Sequence, residues 1–165
     1  MSINFSDKNC QDYSDNELFG LCDDRPGHRA YIDEKDGKKW IAVVVNEDRY
    51  EVTFTAIDNC IEIVRADGKM DKRCDGFLSY NSTITFVELK ERGATGNAWV
   101  TDGEKQLRTS IQYFKASGES ENFTKKRAYL ANSEHPKFKE SQSKRMGQFL
   151  IDTGYVLRIE NRIIL

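Results

Sequence analysis

The chain has no apolar run approaching the roughly 20 residues that a membrane helix needs, which argues against a helical membrane span. Its opening residues, Met1-Ser2-Ile3-Asn4-Phe5-Ser6-Asp7, lack a basic stretch followed by an apolar one. A signal peptide is therefore not expected, and a cytoplasmic location is. There is no Gly-rich phosphate loop of the P-loop or dinucleotide type. Cysteine is limited to Cys10, Cys22, Cys60 and Cys74, with no Cys-x-x-Cys pair. That spacing does not suggest zinc, and in a reducing compartment all four are expected as free thiols, most simply as small buried side chains. The two histidines, His28 and His135, have no partner visible in the sequence, so neither is assigned a catalytic role. The two prolines, Pro26 and Pro136, interrupt no expected strand, and there are no repeats or low-complexity segments.

What is present fits one soluble domain. The chain has 165 residues, enough for a single sizeable core, with 38% hydrophobic and 32% charged residues. The net charge of −2 does not announce a nucleic-acid binder, but its distribution says more. Residues 1–103 hold 13 Lys/Arg against 20 Asp/Glu, a balance of −7, and residues 104–165 hold 12 against 7, a balance of +5. An acidic half can hold metal while a basic half meets phosphates; chance asymmetry is the other reading.

Residues 1–38 are polar and acidic. Ser14 and Glu17 have capping-box spacing ahead of Leu18, Phe19 and Leu21, which predicts one short helix packed as a cap on the core. The compact run Trp40 to Val45 suits a buried strand, and alternation from Tyr50 through Val52, Phe54 and Ala56 predicts a strand with one buried face. Ile61 to Val64 is a further short strand candidate, followed by a turn at 66–69. After a Gly-rich loop at 93–96, Thr101 and Glu104 form a second capping box, and Leu107, Ile111 and Phe114 recur at helical spacing up to Gly118. Residues 127–131 read as a strand. Phe138, Met146, Phe149 and Leu150 predict a helix closed by Gly154, with strands at 155–159 and 163–165.

The stretches 74–80 and 83–90 carry the chemistry. If Asn81-Ser82 is a two-residue hairpin turn, Tyr80 pairs with Thr83, Ser79 with Ile84, Phe77 with Phe86 and Asp75 with Glu88. Directly opposed residues share a face, with Cβ atoms about 4.5–5.5 Å apart. Lys90 shares that face, while Val87 and Leu89 point into the core. Two opposed carboxylates repel unless compensated, and a divalent cation is a natural compensator, since magnesium takes carboxylate oxygens and keeps several waters. A solvated strand face with an Asp–Lys or Glu–Lys ion pair is the alternative.

Asp75, thirteen residues, then Glu88-Leu89-Lys90 resembles the Asp … Glu-x-Lys signature of the PD-(D/E)XK (restriction-endonuclease-like) nuclease superfamily. The resemblance covers about residues 50–131: a strand, the Asp strand, the Glu-x-Lys strand, a helix and another strand. Gln106-Leu107 early in that helix resembles the glutamine found there in several branches. The stretch Ile57-Asp58-Asn59-Cys60 with Cys74-Asp75 is similar to small bacterial members. Two departures stand out: Cys74 replaces the proline that often precedes the aspartate, and no obvious first-helix glutamate precedes the strands, Glu17 and Glu62 being the candidates. The resemblance implies an α/β (α+β) fold, a central mixed sheet flanked by helices. It implies magnesium (or manganese) on Asp75, Glu88 and the Leu89 carbonyl, with Lys90 orienting or activating water and Gln106 positioning water or backbone. The chain would then divide into a cap (1–38), a nuclease-like core (40–131) and a C-terminal helix and strands (132–165).

Other residues carry weaker signals. Lys125-Lys126-Arg127, and Lys137, Lys139, Lys144 and Arg145, could contact phosphates, although a solvated face is the commoner meaning of such runs. Trp40, Trp99 and Tyr113 could stack on bases, and core packing is the better reading of each. The leading expectation is a metal-dependent nuclease, on DNA more than RNA, with a homodimer or protein partner left to supply specificity. The alternatives are a catalytically inactive interaction module of the same fold, for example in a defence or immunity system, and an unrelated strand-rich binding protein.

Overall fold

The computed structural model describes residues 3–24, 26–91, 98–133 and 142–165. The loop expected at 93–96 and the residues His135, Pro136, Lys137, Phe138 and Lys139 lie outside these. Among the described residues the elements run β1 (Gln11–Ser14), β2 (Leu18–Cys22), β3 (Tyr31–Asp33), β4 (Ala42–Val45), β5 (Val52–Ala56), β6 (Gly76–Tyr80), β7 (Thr83–Lys90), α1 (Ala98–Ala116), β8 (Lys125–Asn132), α2 (Ser143–Thr153), β9 (Val156–Arg158) and β10 (Arg162–Ile164).

The fold is mixed α+β in three layers. A six-stranded sheet in the order β1-β5-β6-β7-β8-β9 forms the middle. Its first four strands pair antiparallel, and β7-β8 and β8-β9 pair parallel. Parallel neighbours need a crossover, and α1 and α2 supply the two. Both helices pack on one face, where Val100, Leu107, Ile111 and Phe114 of α1 and Phe149 of α2 meet Phe77, Ile84, Phe86, Ala128 and Leu130. The other face is covered by a four-stranded sheet, β10-β4-β2-β3, through Phe19, Leu21, Val44 and Ile163 against Val52, Phe54, Val87 and Leu89. The expectation of helices on both faces is therefore corrected: among the described residues they lie on one.

The expected cap helix is also corrected. Ser14 ends β1 and Leu18–Cys22 is a strand. Its consecutive apolar residues are buried on both sides as the centre of the small sheet, a setting that outweighs a four-residue capping pattern. Ser14 Oγ accepts from Asn16 N (3.1 Å) and donates to Glu34 (2.8 Å), so it serves the turn between the two strands. Gly20 is required here, since a Cβ would stand 1.9 Å from the Trp40 ring. The indole Nε1 donates to Asp33 at 2.8 Å, so Trp40 is a packing residue. Residues 61–64 form no strand, only an isolated Val64–Met70 bridge, because Ile61 and Ile63 turn into the helix-side core. Helix α1 starts at Ala98, so Thr101 lies inside it. Glu104 instead ties α1 to α2 through Arg145 at 2.6 Å.

The cysteines depart from expectation as well. Cys10 and Cys60 form a disulfide across 50 residues of sequence, while Cys22 and Cys74 are free and buried. Cys10 lies just before β1 and Cys60 in the turn after β5, the strand paired with β1, so register brings the two sulfurs together. Disulfides persist mainly in oxidising surroundings, an observation against the cytoplasmic expectation. No helix among the described residues is long and apolar enough to cross a membrane.

Candidate metal and phosphodiester site

The β6–β7 hairpin has the expected register. Tyr80 pairs with Thr83, Ser79 with Ile84, Phe77 with Phe86 and Gly76 with Val87. Asn81 makes the turn at φ 47°, in the left-handed region that asparagine tolerates. Gly76 admits the close approach of β5, because a Cβ there would lie 2.3 Å from the Thr55 carbonyl oxygen. One residue earlier, at Asp75, the backbone ladder gives way to side chains. Asp75 N donates to Glu88 Oε1 (3.1 Å) and Leu89 N donates to Asp75 Oδ2 (2.7 Å). Each carboxylate thus binds the other strand's backbone across the end of the hairpin.

Lys90 and Gln106 complete the group. Lys90 Nζ lies 3.1 Å from Glu88 Oε2 and donates to Gln106 Oε1 at 2.9 Å. Gln106 Nε2 donates to the Arg73 carbonyl at 3.3 Å, and one turn along α1 the Ser110 hydroxyl accepts from Cys74 N at 2.9 Å. Helix α1 therefore clamps the segment leading into Asp75 at two points. It lies close enough because of Gly103, where a Cβ would stand 2.4 Å from Leu130, the β8 residue registered against Glu88. Neither the Gly103 contact nor the Ser110 bond was anticipated from sequence; the only available signal was the i, i+4 spacing of Gln106 and Ser110.

Burial sets the electrostatics. Asp75 is 4% exposed and Glu88 2%. Removal from water pushes the Asp75 carboxyl well above its ordinary range, and the Glu88 charge adds to this. Burial also raises Glu88, with the Lys90 ammonium as the main opposing influence. Asp23, at the end of β2, contributes a smaller charge effect on Asp75. Burial, against the Ser110 hydrogen bond, holds the Cys74 thiol up as well. Beside the carboxylates opens a cleft of about 370 Å³ lined by Lys90, Gln106, Arg73, Asp58, Asp71 and others. Asp75 and Glu88 lie behind this lining.

The remaining candidates fall elsewhere. Glu17 and Glu62 are exposed and occupy other parts of the surface, at the start of β2 and beside Ile61. Lys125, Lys126 and Arg127 pair with Thr83, Ile84 and Thr85, at the opposite end of β7 from Lys90. Trp99 is buried in the helix-side core, and the Tyr113 hydroxyl donates to Asp71 at 2.7 Å. His28 is exposed, and its carbonyl accepts from Asn59. Arg145 is engaged by Glu104.

Comparison with protein-family models, with curated proteins and with solved structures returns no match. The functional reading accordingly rests on the site's own chemistry.

No cluster of three or more His, Cys, Asp or Glu side chains suited to a metal occurs among the described residues. The donor set at 75–90 is two carboxylates and the backbone. The Lys90 carbonyl accepts from Ser133 N, on the β8 side. Along a strand, successive residues turn their N–H and C=O to opposite edges, so Leu89 turns both toward Asp75. Two carboxylates and a carbonyl are hard oxygen donors, which suit magnesium or manganese with water completing the shell. With one ammonium against two buried carboxylates, an added cation would also offset the remaining charge.

Proposed function

We propose that the chain is a metal-dependent phosphodiesterase of the PD-(D/E)XK type, acting on nucleic acid and on DNA in the first instance. The observation that carries this reading is the connected set Asp75–Glu88–Lys90–Gln106 at the edge of a polar cleft. Asp75, Glu88 and the Leu89 carbonyl would hold the cation. Bound there, magnesium supplies Lewis-acid polarisation of a phosphoryl oxygen and a lower pKa for attacking water.

The protein's own groups do the rest. Lys90 is held between Glu88 and Gln106, so its ammonium is positioned at the cleft wall, where it can orient water and stabilise the extra negative charge of a pentacovalent phosphorus. Gln106 fixes that ammonium on one side and the Arg73 carbonyl on the other. Arg73 pairs with Asp58 at 3.2 Å, and its backbone leads directly into Cys74 and Asp75, so the cleft wall and the carboxylates are joined through one short segment of chain.

The test is nicking of supercoiled plasmid DNA in magnesium or manganese, compared with EDTA. The expected result is metal-dependent relaxation, reduced at least a hundredfold by Lys90→Ala. Absence of cleavage on DNA and RNA with several metals would favour the second reading, a non-catalytic interaction module. The deep burial of both carboxylates behind the cleft lining favours that alternative.

A further inference from the structure

At the opposite end of the parallel strands lies a second cavity, of about 610 Å³, whose wall includes Lys125, Lys126, Arg127 and Arg158 and no Asp or Glu. Two of its cations, Lys125 and Arg158, are exposed, and Arg127 is only 9% exposed. None of the four has a carboxylate within 4.0 Å among the described residues. By strand alternation Lys125, Arg127 and Arg158 share one face of the sheet, and three cations around a cavity whose lining holds no carboxylate attract anions, since a low-dielectric wall focuses the field.

Arg127 adds an independent observation. Its Nη1 donates to the Ile164 carbonyl at 2.8 Å and its guanidinium lies 5.6 Å from the Tyr129 ring centre. Its Nε and Nη2 are buried without a protein partner, and so is the hydroxyl of Thr85, the residue registered against it on β7. Three orphaned polar atoms on two facing residues are unusual, because buried charge is normally paired and hydrogen-bonded. A structural arginine would have a carboxylate here; this one has only a carbonyl and an aromatic face.

The position follows from topology. Arg127 and Tyr129 point to the small-sheet face of β8, opposite Ala128 and Leu130, and the small sheet reaches this region only with its edge strand β10. The face of β8 and β9 beyond β10 is thereby open, and the cavity occupies it. Arg127 is five residues before Asn132, the partner of Lys90, so the two sites are about 17 Å apart along the sheet and on opposite faces.

We propose that this cavity is a binding site for a phosphate-rich anion, either a free polyphosphate or the phosphates of a nucleic-acid strand, with Arg127 as the buried anchor and Lys125 and Arg158 as the rim. It stands independently of the nuclease reading. The test is isothermal titration of the full chain with tripolyphosphate in EDTA, followed by competition with a twelve-nucleotide single-stranded DNA. The expected result is saturable binding at one site, weakened at least tenfold in Lys125→Ala/Arg158→Ala and in Arg127→Met, and unchanged in Lys90→Ala. Because Lys125 and Arg158 are exposed, the double variant keeps the fold if Arg127→Met does not. Competition by the oligonucleotide identifies strand phosphates as the ligand, and its failure to compete identifies a free polyphosphate. The proposal is overturned if neither anion binds saturably, if binding survives the double variant, or if Lys90→Ala abolishes it.

Discussion

Asp75→Asn should make the metal-free protein more stable, because it replaces a buried acid, costly to ionise, with a neutral group of the same shape that keeps the acceptor. The Asn side-chain oxygen can still accept from Leu89 N, as Asp75 Oδ2 does at 2.7 Å. Asp75 and Glu88 share a side-chain hydrogen bond, so above pH 4 the folded wild type holds a proton that the unfolded chain releases, and this uptake costs about 1.4 kcal/mol per pH unit until the folded value is passed. The Lys90 ammonium against Glu88 offsets part of the burial cost, and the expected gain is about 1–2 kcal/mol, on the scale of about 1.4 kcal/mol for one unit of pKa shift. That corresponds to a melting-temperature rise of about 2–8 °C for a chain of this size. The pH dependence fixes the cause. An acid whose folded pKa is raised holds its proton longer in the folded state than in the unfolded chain. Its stabilising contribution is full below about pH 4 and is lost as pH rises through the folded value. The gain from Asp75→Asn should therefore be small at pH 4 and grow toward pH 8. Magnesium should raise the wild-type melting temperature by preferential binding to the folded state, and should leave the variant unmoved. Thermal melts at several pH values, in EDTA and in 10 mM magnesium, read all of this. A variant less stable than wild type at pH 8 in EDTA, with no magnesium effect on wild type, would refute the reasoning.

Three further outcomes follow from the same geometry. Ser110→Ala leaves the buried Cys74 N–H without its acceptor and should cost about 1–3 kcal/mol in urea unfolding, with a larger loss of metal-dependent activity than of stability because Asp75 is the next residue. Gly103→Val would drive a side chain into Leu130 and push α1 off β8; circular dichroism should show a folded but less stable protein, and plasmid nicking should fall as the Gln106–Lys90 contact at 2.9 Å is lost. Reducing the Cys10–Cys60 disulfide should lower stability by about 2–4 kcal/mol, measured by melts with and without dithiothreitol.

The hairpin was legible because its constraints are local. Period-two patterning, an asparagine turn and a short loop determine register, and register alone brings Asp75 to Glu88. Helix α1, its stop at Gly118 and the C-cap at Gly154 were equally accessible, being written in neighbouring residues. The N-terminal region was not. Leu18 to Cys22 is a short apolar run whose period is ambiguous, and only the partners β3 and β4 make it a strand. The Cys10–Cys60 bond depended on β1 pairing with β5, a long-range choice that cysteine spacing does not encode. Likewise, Lys125 to Arg127 read as possible phosphate contacts for one site, but the parallel β7–β8 register carries them to the far end of the sheet.

The most direct test of the metal site at the hairpin's end is anomalous diffraction from crystals soaked in manganese. A single strong peak within about 2.5 Å of carboxylate oxygens from both Asp75 and Glu88 is predicted, and it should vanish in Asp75→Asn. A well-ordered soaked crystal with no peak there, and with Glu88 still bound to Lys90, would contradict the account.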